Sequence, residues 1–105
     1  MFDFIKQFFG FSTKIDFNKL VLAGAIILDV RTKNEFSGGH IIGSVNLPVQ
    51  ELSNGIKKLK KGNAIITYCA SGIRSASAKK ILLSQGFNTV YNRGGWLGLK
   101  NKLKG

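Results

Sequence analysis

The chain has 105 residues, 44% of them apolar, which suffices for one buried core but not comfortably for two, and excludes a disordered chain. A net charge of +11, from 16 Lys+Arg against 5 Asp+Glu, favours anionic partners: small sulfur or phosphorus oxyanions, tRNA, acidic proteins or lipid headgroups. The single cysteine excludes an internal disulfide and a multi-cysteine zinc site.

Residues 1–15 read as a phenylalanine-rich arm. Phe2, Phe4, Phe8, Phe9 and Phe11 fall in it, and Phe4, Ile5, Phe8 and Phe9 recur at helical spacing. An arm packed on the domain is one reading; contact of residues 1–11 with a membrane surface is the other. Apolar runs are far shorter than the roughly 20 residues of a spanning helix, so no transmembrane segment is expected. No secretory signal is read, and a lone thiol suits a reducing cytoplasm.

Residues 16–105 read as the folded domain. Asp16 to Val21 suits a short helix capped by Asp16 and ended by Gly24. Ala25 to Val30 and Ala64 to Tyr68 are continuous apolar runs, the pattern of strands covered on both faces in a parallel sheet. Ile41 to Asn46 and Asn88 to Tyr91 are shorter strand candidates. Val49, Leu52, Ile56 and Leu59 predict a helix opened by Pro48 and closed by Gly62, with Lys57, Lys58, Lys60 and Lys61 at its end. Ile73 to Gln85 predicts a second helix, closed by Gly86 with Phe87 behind it. Strands alternating with helices imply an open α/β sheet.

Cys69 falls where a buried strand should end and a helix begin, the edge at which open α/β sheets bind ligands. Ala70, Ser71 and Gly72 are small, so backbone N–H groups can turn inward and make an anion cradle at the helix N-terminus. The same field, with Arg74 nearby, favours the thiolate of Cys69. Arg74 can also hold an oxyanion through two nitrogens. Asp29 ends a buried strand and needs a partner there, for which Arg31 and Arg74 are candidates. It reads as an organiser of the loop region more than as a general base, and Arg31 as its internal partner or a substrate contact. His40, the only histidine, reads as architectural. Glu35 suits a short helix, its carboxylate caught by backbone or a basic neighbour. Trp96 reads as a packing anchor, and Lys100, Lys102 and Lys104 as a solvated end.

Cys69-Ala70-Ser71-Gly72-Ile73-Arg74-Ser75 resembles the active-site loop of the rhodanese-like sulfurtransferases. Leu28-Asp29-Val30-Arg31, Glu35-Phe36 and Gly39 to Pro48 resemble that family's first signature; Leu83 to Phe87, Val90-Tyr91 and Gly94-Gly95-Trp96 resemble its second half. The resemblance implies a single α/β domain, its central parallel sheet flanked by helices on both faces, and no cofactor or metal. It also implies that Cys69 takes sulfane sulfur from an anionic donor such as thiosulfate, and passes it to a thiol or cyanide. Ala70, Ser71, Gly72, Ile73, Arg74 and Ser75 would hold the anion, with Ser71 and Ser75 also able to offer hydroxyls. Related phosphatases and arsenate reductases carry one residue more between cysteine and arginine, so four residues here favour sulfur. A persulfide carrier serving an acidic protein or tRNA is the alternative function.

Overall fold

The computed structural model describes residues 16–95. The phenylalanine-rich arm, Trp96 and the C-terminal lysines lie outside the described residues.

Helix α1 (Phe17–Leu22) starts where Asp16 accepts a 3.2 Å hydrogen bond from the Lys19 N–H, filling one of the donors a helix start leaves open. Gly24, at φ +102°, turns the chain into β1 (Ile26–Asp29). After α2 (Lys33–Ser37) come β2 (Val45–Asn46), α3 (Leu52–Gly55), β3 (Ile65–Cys69), α4 (Ile73–Ser84) and β4 (Val90–Gly95).

The four strands form one wholly parallel sheet in the order β2-β1-β3-β4. Its two central strands are buried on both faces, which is why they read as unbroken apolar runs. Alternate residues feed two cores. Leu28, Ile65 and Cys69 pack with Leu52, Ala78, Leu82 and Phe87, while Ile27, Ile66 and Tyr68 pack with Phe17 and Ile41. Helices α3 and α4 cover the first face and α1 the second, as expected. Each such aliphatic side chain removed from water contributes about 1.5–3 kcal/mol before the entropy of ordering is set against it.

α4 ends as its sequence predicts. Gly86, at φ +99°, lets Phe87 N–H reach Leu82 O at 3.1 Å and Gly86 N–H reach Leu83 O at 3.2 Å, closing the last turn.

Three expectations need correction. The helix expected from Pro48 to Gly62 is a broken run: a 3₁₀ turn at Val49–Glu51, the single α-turn α3, and a 3₁₀ turn at Ile56–Lys58, with Leu59 extended. Ser53-Asn54-Gly55 is a poor helical sequence, and Gly55 sits so tightly on Leu47 that a β-carbon there would overlap its side chain. The stripe still works as packing, since Leu52 and Leu59 are buried with Val49 and Ile56 beside them. Strand β2 is only Val45–Asn46, because Ile41 to Ser44 forms a turn held by Ser44 N–H to Ile41 O at 3.0 Å. Strand β4 starts later than expected, at Val90, and runs on through Gly94 and Gly95.

Candidate active site

Cys69 is the last residue of β3 and is wholly buried. Beyond it the chain turns through Ala70 and Ser71 to Gly72, which caps α4 in the left-handed region at φ +103°. That turn aims the Gly72 N–H back at the Cys69 sulfur, at 2.9 Å. Burial pushes the Cys69 thiol's pKa up. Hydrogen bonding with the Ser75 side chain and with the N–H groups of Ser75, Gly72 and Ser71 outweighs it and holds the thiol below its ordinary value. Three backbone amides of the small-residue loop and of the first turn of α4 thus act on the sulfur.

Ser75 is buried in the first turn of α4, its Oγ 3.6 Å from the sulfur. Its one hydroxyl proton has two closer acceptors, Asn92 Oδ1 at 2.6 Å and Gly72 O at 3.1 Å. Asn92 Oδ1 also accepts from Gly94 N–H at 3.0 Å, so β4 braces the loop from behind. Asn92 was not singled out in the sequence, where a lone asparagine beside glycines reads as loop. Thr67 adds a further brace, donating to Ser75 O at 3.1 Å. The loop and β4 touch so closely that a β-carbon on Gly95 would stand 2.9 Å from Ala70 O. Such contact explains why Gly95 can stand inside this strand where a side chain would not fit.

Asp29 pairs with Arg31 and not with Arg74. Its carboxylate accepts from Arg31 Nη2 at 2.7 Å, from Nε at 3.0 and 3.1 Å, and from the Arg31 N–H at 3.0 Å. Arg31 also donates to Gly39 O at 2.7 Å and lies over the Tyr68 ring, 5.7 Å from its centroid. Hydrogen bonding to Asp29 raises the Arg31 pKa against the opposing effect of burial. Through Arg31 the end of β1 is tied to the Gly39 carbonyl.

Tyr68, also not singled out, ties the Gly39 to Ser44 segment to the sheet. Its hydroxyl accepts from Ile41 N–H and lies against Ser44 Oγ, each at 3.3 Å, and burial pushes its pKa up to about 12. His40 belongs to that segment too. Its Nδ1 bonds Phe36 O at 2.7 Å and its ring stacks on Phe36 at 3.6 Å, an architectural role as expected.

Arg74 does not stand alone over the loop. Its Nη1 and Nη2 donate to Glu35 Oε1 at 2.7 Å and Oε2 at 3.0 Å, one nitrogen to each oxygen. Glu35 is itself fixed. Thr32 and Glu35 form a reciprocal cap at the start of α2, with Thr32 N–H to Oε1 at 2.9 Å and Glu35 N–H to Thr32 Oγ1 at 3.2 Å. The Arg74 hydrogen bonds, reinforced by Thr32, lower the Glu35 carboxyl to about 2.

A cleft of about 440 Å³ opens beside α2, lined by Thr32, Lys33, Asn34, Pro48, Gln50 and Glu51, with none of residues 69–75 in its wall. The lysine run ends at the amino end of β3, where Lys61 approaches Gly86, at the far end of the strand from Cys69. It does not line the sulfur. Among the described residues no helix is long and apolar enough to cross a membrane.

Comparison with known proteins agrees with this geometry. The model of the rhodanese-like domain matches residues 13–102. An uncharacterized Bacillus subtilis protein, YqhL, is 35% identical over 81 residues, covering 76% of this chain and 64% of that protein, so the match spans somewhat less than two thirds of its length. The thiosulfate sulfurtransferase GlpE of Stutzerimonas stutzeri is 38% identical over 73 residues, covering 70% of this chain and 67% of the other. Among solved structures, a rhodanese with anions from Escherichia coli superposes with a TM-score of 0.66 at 31% identity, over 70% of this chain and 88% of that one.

Proposed function

The chain belongs to the rhodanese-like domain family, and from that premise we propose that it is a sulfurtransferase working through a persulfide on Cys69. The Cys69 thiolate attacks the outer sulfur of a sulfane-sulfur donor, of which thiosulfate is the simplest. A new S–S bond forms to Cys69, the donor's own S–S bond breaks, and sulfite leaves with that bond's electron pair. No oxidant is consumed and no proton need move. A thiolate or cyanide acceptor then attacks the outer sulfur of the persulfide, and Cys69 leaves as the thiolate it was at the start.

The amides of Ser71, Gly72 and Ser75 serve both half-reactions. They stabilise the negative charge whether it rests on Cys69 or on the terminal sulfur, as donors fixed in advance around an oxyanion do. The Asn92 brace holds the loop that carries them. The Gly72 N–H placed on the cysteine sulfur at 2.9 Å supports this reading most directly.

Treating the whole chain with a sulfane-sulfur donor should add the mass of one sulfur atom. A thiol should remove it, and Cys69→Ser should never acquire it. An unmodified wild-type chain after exposure to thiosulfate, cysteine persulfide and polysulfide would count decisively against the proposal.

A further inference from the structure

The Ser75 hydroxyl lies 3.6 Å from the Cys69 sulfur and has a single proton to give. Asn92 decides where that proton points. Its Oδ1 takes the Gly94 N–H at 3.0 Å, and a backbone N–H can only donate, so that atom is an acceptor fixed in place. Ser75 Oγ stands 2.6 Å from the same oxygen and therefore donates to it. The other acceptor in reach, Gly72 O at 3.1 Å, already takes the Ala76 N–H at 3.1 Å and the Asn92 Nδ2 amide at 3.5 Å. Ser75 and Cys69 are both 0% exposed, so bulk water supplies neither with another partner. With its proton on Asn92, Ser75 turns a lone pair to the sulfur and accepts the Cys69 S–H, which suits an uncharged thiol. A thiolate needs the reverse. The hydroxyl provides it by rotating about its own C–O bond, at the cost of its bond to Asn92, so Asn92 and Cys69 compete for one proton.

Building on the Cys69 persulfide reading, we infer that Asn92 is a positioning residue for sulfur transfer: it holds the Ser75 proton while the Cys69 sulfur is uncharged and yields it when charge returns there. The charge moves in each half-reaction. Before sulfur is taken up it sits on Cys69 Sγ. In the persulfide it sits on the outer sulfur, and Sγ, bonded on both sides, no longer draws the hydroxyl, which returns to Asn92. By offering the proton this second place, Asn92 favours the loaded chain over the free thiolate and slows the loss of sulfur to the acceptor. Arg74, on α4 and paired with Glu35 of α2, is a charged partner of Cys69. At the end of β1 the Asp29 carboxylate is held by Arg31, and β4 presents the neutral Asn92. Replacing Asn92 or Ser75 by alanine alters none of these charges.

The test is the pH dependence of Cys69 alkylation in wild type, Asn92→Ala, Ser75→Ala and the double variant. Freed from Asn92, the Ser75 hydroxyl serves the thiolate without giving up another bond. The midpoint should then fall by about half a pH unit, part of the worth of one neutral hydrogen bond. In the Ser75→Ala background, Asn92→Ala should leave the midpoint where it was. Discharge of the persulfide by a thiol should quicken by about twofold in Asn92→Ala alone, because a more acidic thiol leaves faster. Asn92→Asp is nearly isosteric and keeps both acceptor contacts, so it covers the case in which the alanine variant does not fold. Its midpoint should rise, and by more with Ser75 present than without it. A midpoint that rises or stays put in Asn92→Ala, or one that shifts alike with and without the Ser75 hydroxyl, overturns the inference and leaves Asn92 a structural brace. A chain that takes sulfur from no donor removes the Cys69 persulfide reading instead, a result the alkylation midpoints do not depend on.

Discussion

Gly72→Ala is expected to slow sulfur transfer by about 10²–10³-fold while the domain stays folded. Gly72 adopts φ +103°, a conformation that costs an L-residue about 1–2 kcal/mol. An alanine β-carbon would also stand 3.0 Å from the Gly94 α-carbon, a backbone atom that cannot rotate away. The loop must then rotate or move off β4, and either shift takes the Gly72 N–H from its 2.9 Å contact with the sulfur. Loss of one fixed donor from an anion hole sets the magnitude, while the strain itself is small beside the roughly 5–15 kcal/mol stability of a typical domain. Single-turnover persulfide formation, beside circular dichroism and a urea transition, separates the two effects. A folded variant that reacts at the wild-type rate would show that this amide does not act on the sulfur.

Asp29→Asn is expected to cost about 3–5 kcal/mol of stability. Asp29 is 0% exposed and Arg31 4%, and four hydrogen bonds from Arg31 converge on the Asp29 carboxylate. Asparagine keeps one acceptor oxygen but removes the carboxylate charge that faces the buried guanidinium. A loss of that size is comparable with the whole stability of a small domain, so the urea midpoint should fall sharply. Replacing both partners by apolar residues, Asp29→Leu with Arg31→Met, should cost less than the single change, since no isolated charge remains. A single variant within about 0.5 kcal/mol of wild type would show that the pair is not the organiser of these strand ends.

The parts of this molecule that were legible in the sequence are those dictated by local chemistry. Ile65 to Cys69 is apolar without a break because both faces are buried, and Asp16, Gly24 and Gly86 mark helix ends through capping and positive φ. The Cys69 loop was legible because an anion cradle needs small residues and a permissive glycine at a strand-to-helix turn. What escaped was decided by distant contacts. Gly55 breaks the expected helix partly because Leu47, eight residues earlier, fills the space beside it. Gly94 and Gly95 look like a loop, yet lie in β4 because the active-site turn needs a strand without side chains next to it. The partner of Arg74 lies 39 residues away at Glu35, and nothing local distinguished it from Asp29, which pairs two residues along with Arg31. Asn92 and Tyr68 gained their roles only when the fold brought them to Ser75 and to the Gly39 to Ser44 segment.

The loop, and not burial, controls the state of the Cys69 sulfur. Because the chain has one cysteine, its alkylation rate against pH reports that sulfur alone. The hydrogen bonds of Ser75, Gly72 and Ser71 predict a midpoint below the ordinary thiol value of 9.0. In Gly72→Ala the midpoint should rise, as one donor is withdrawn. A wild-type midpoint at or above 9.0, the result burial alone would give, would contradict the account.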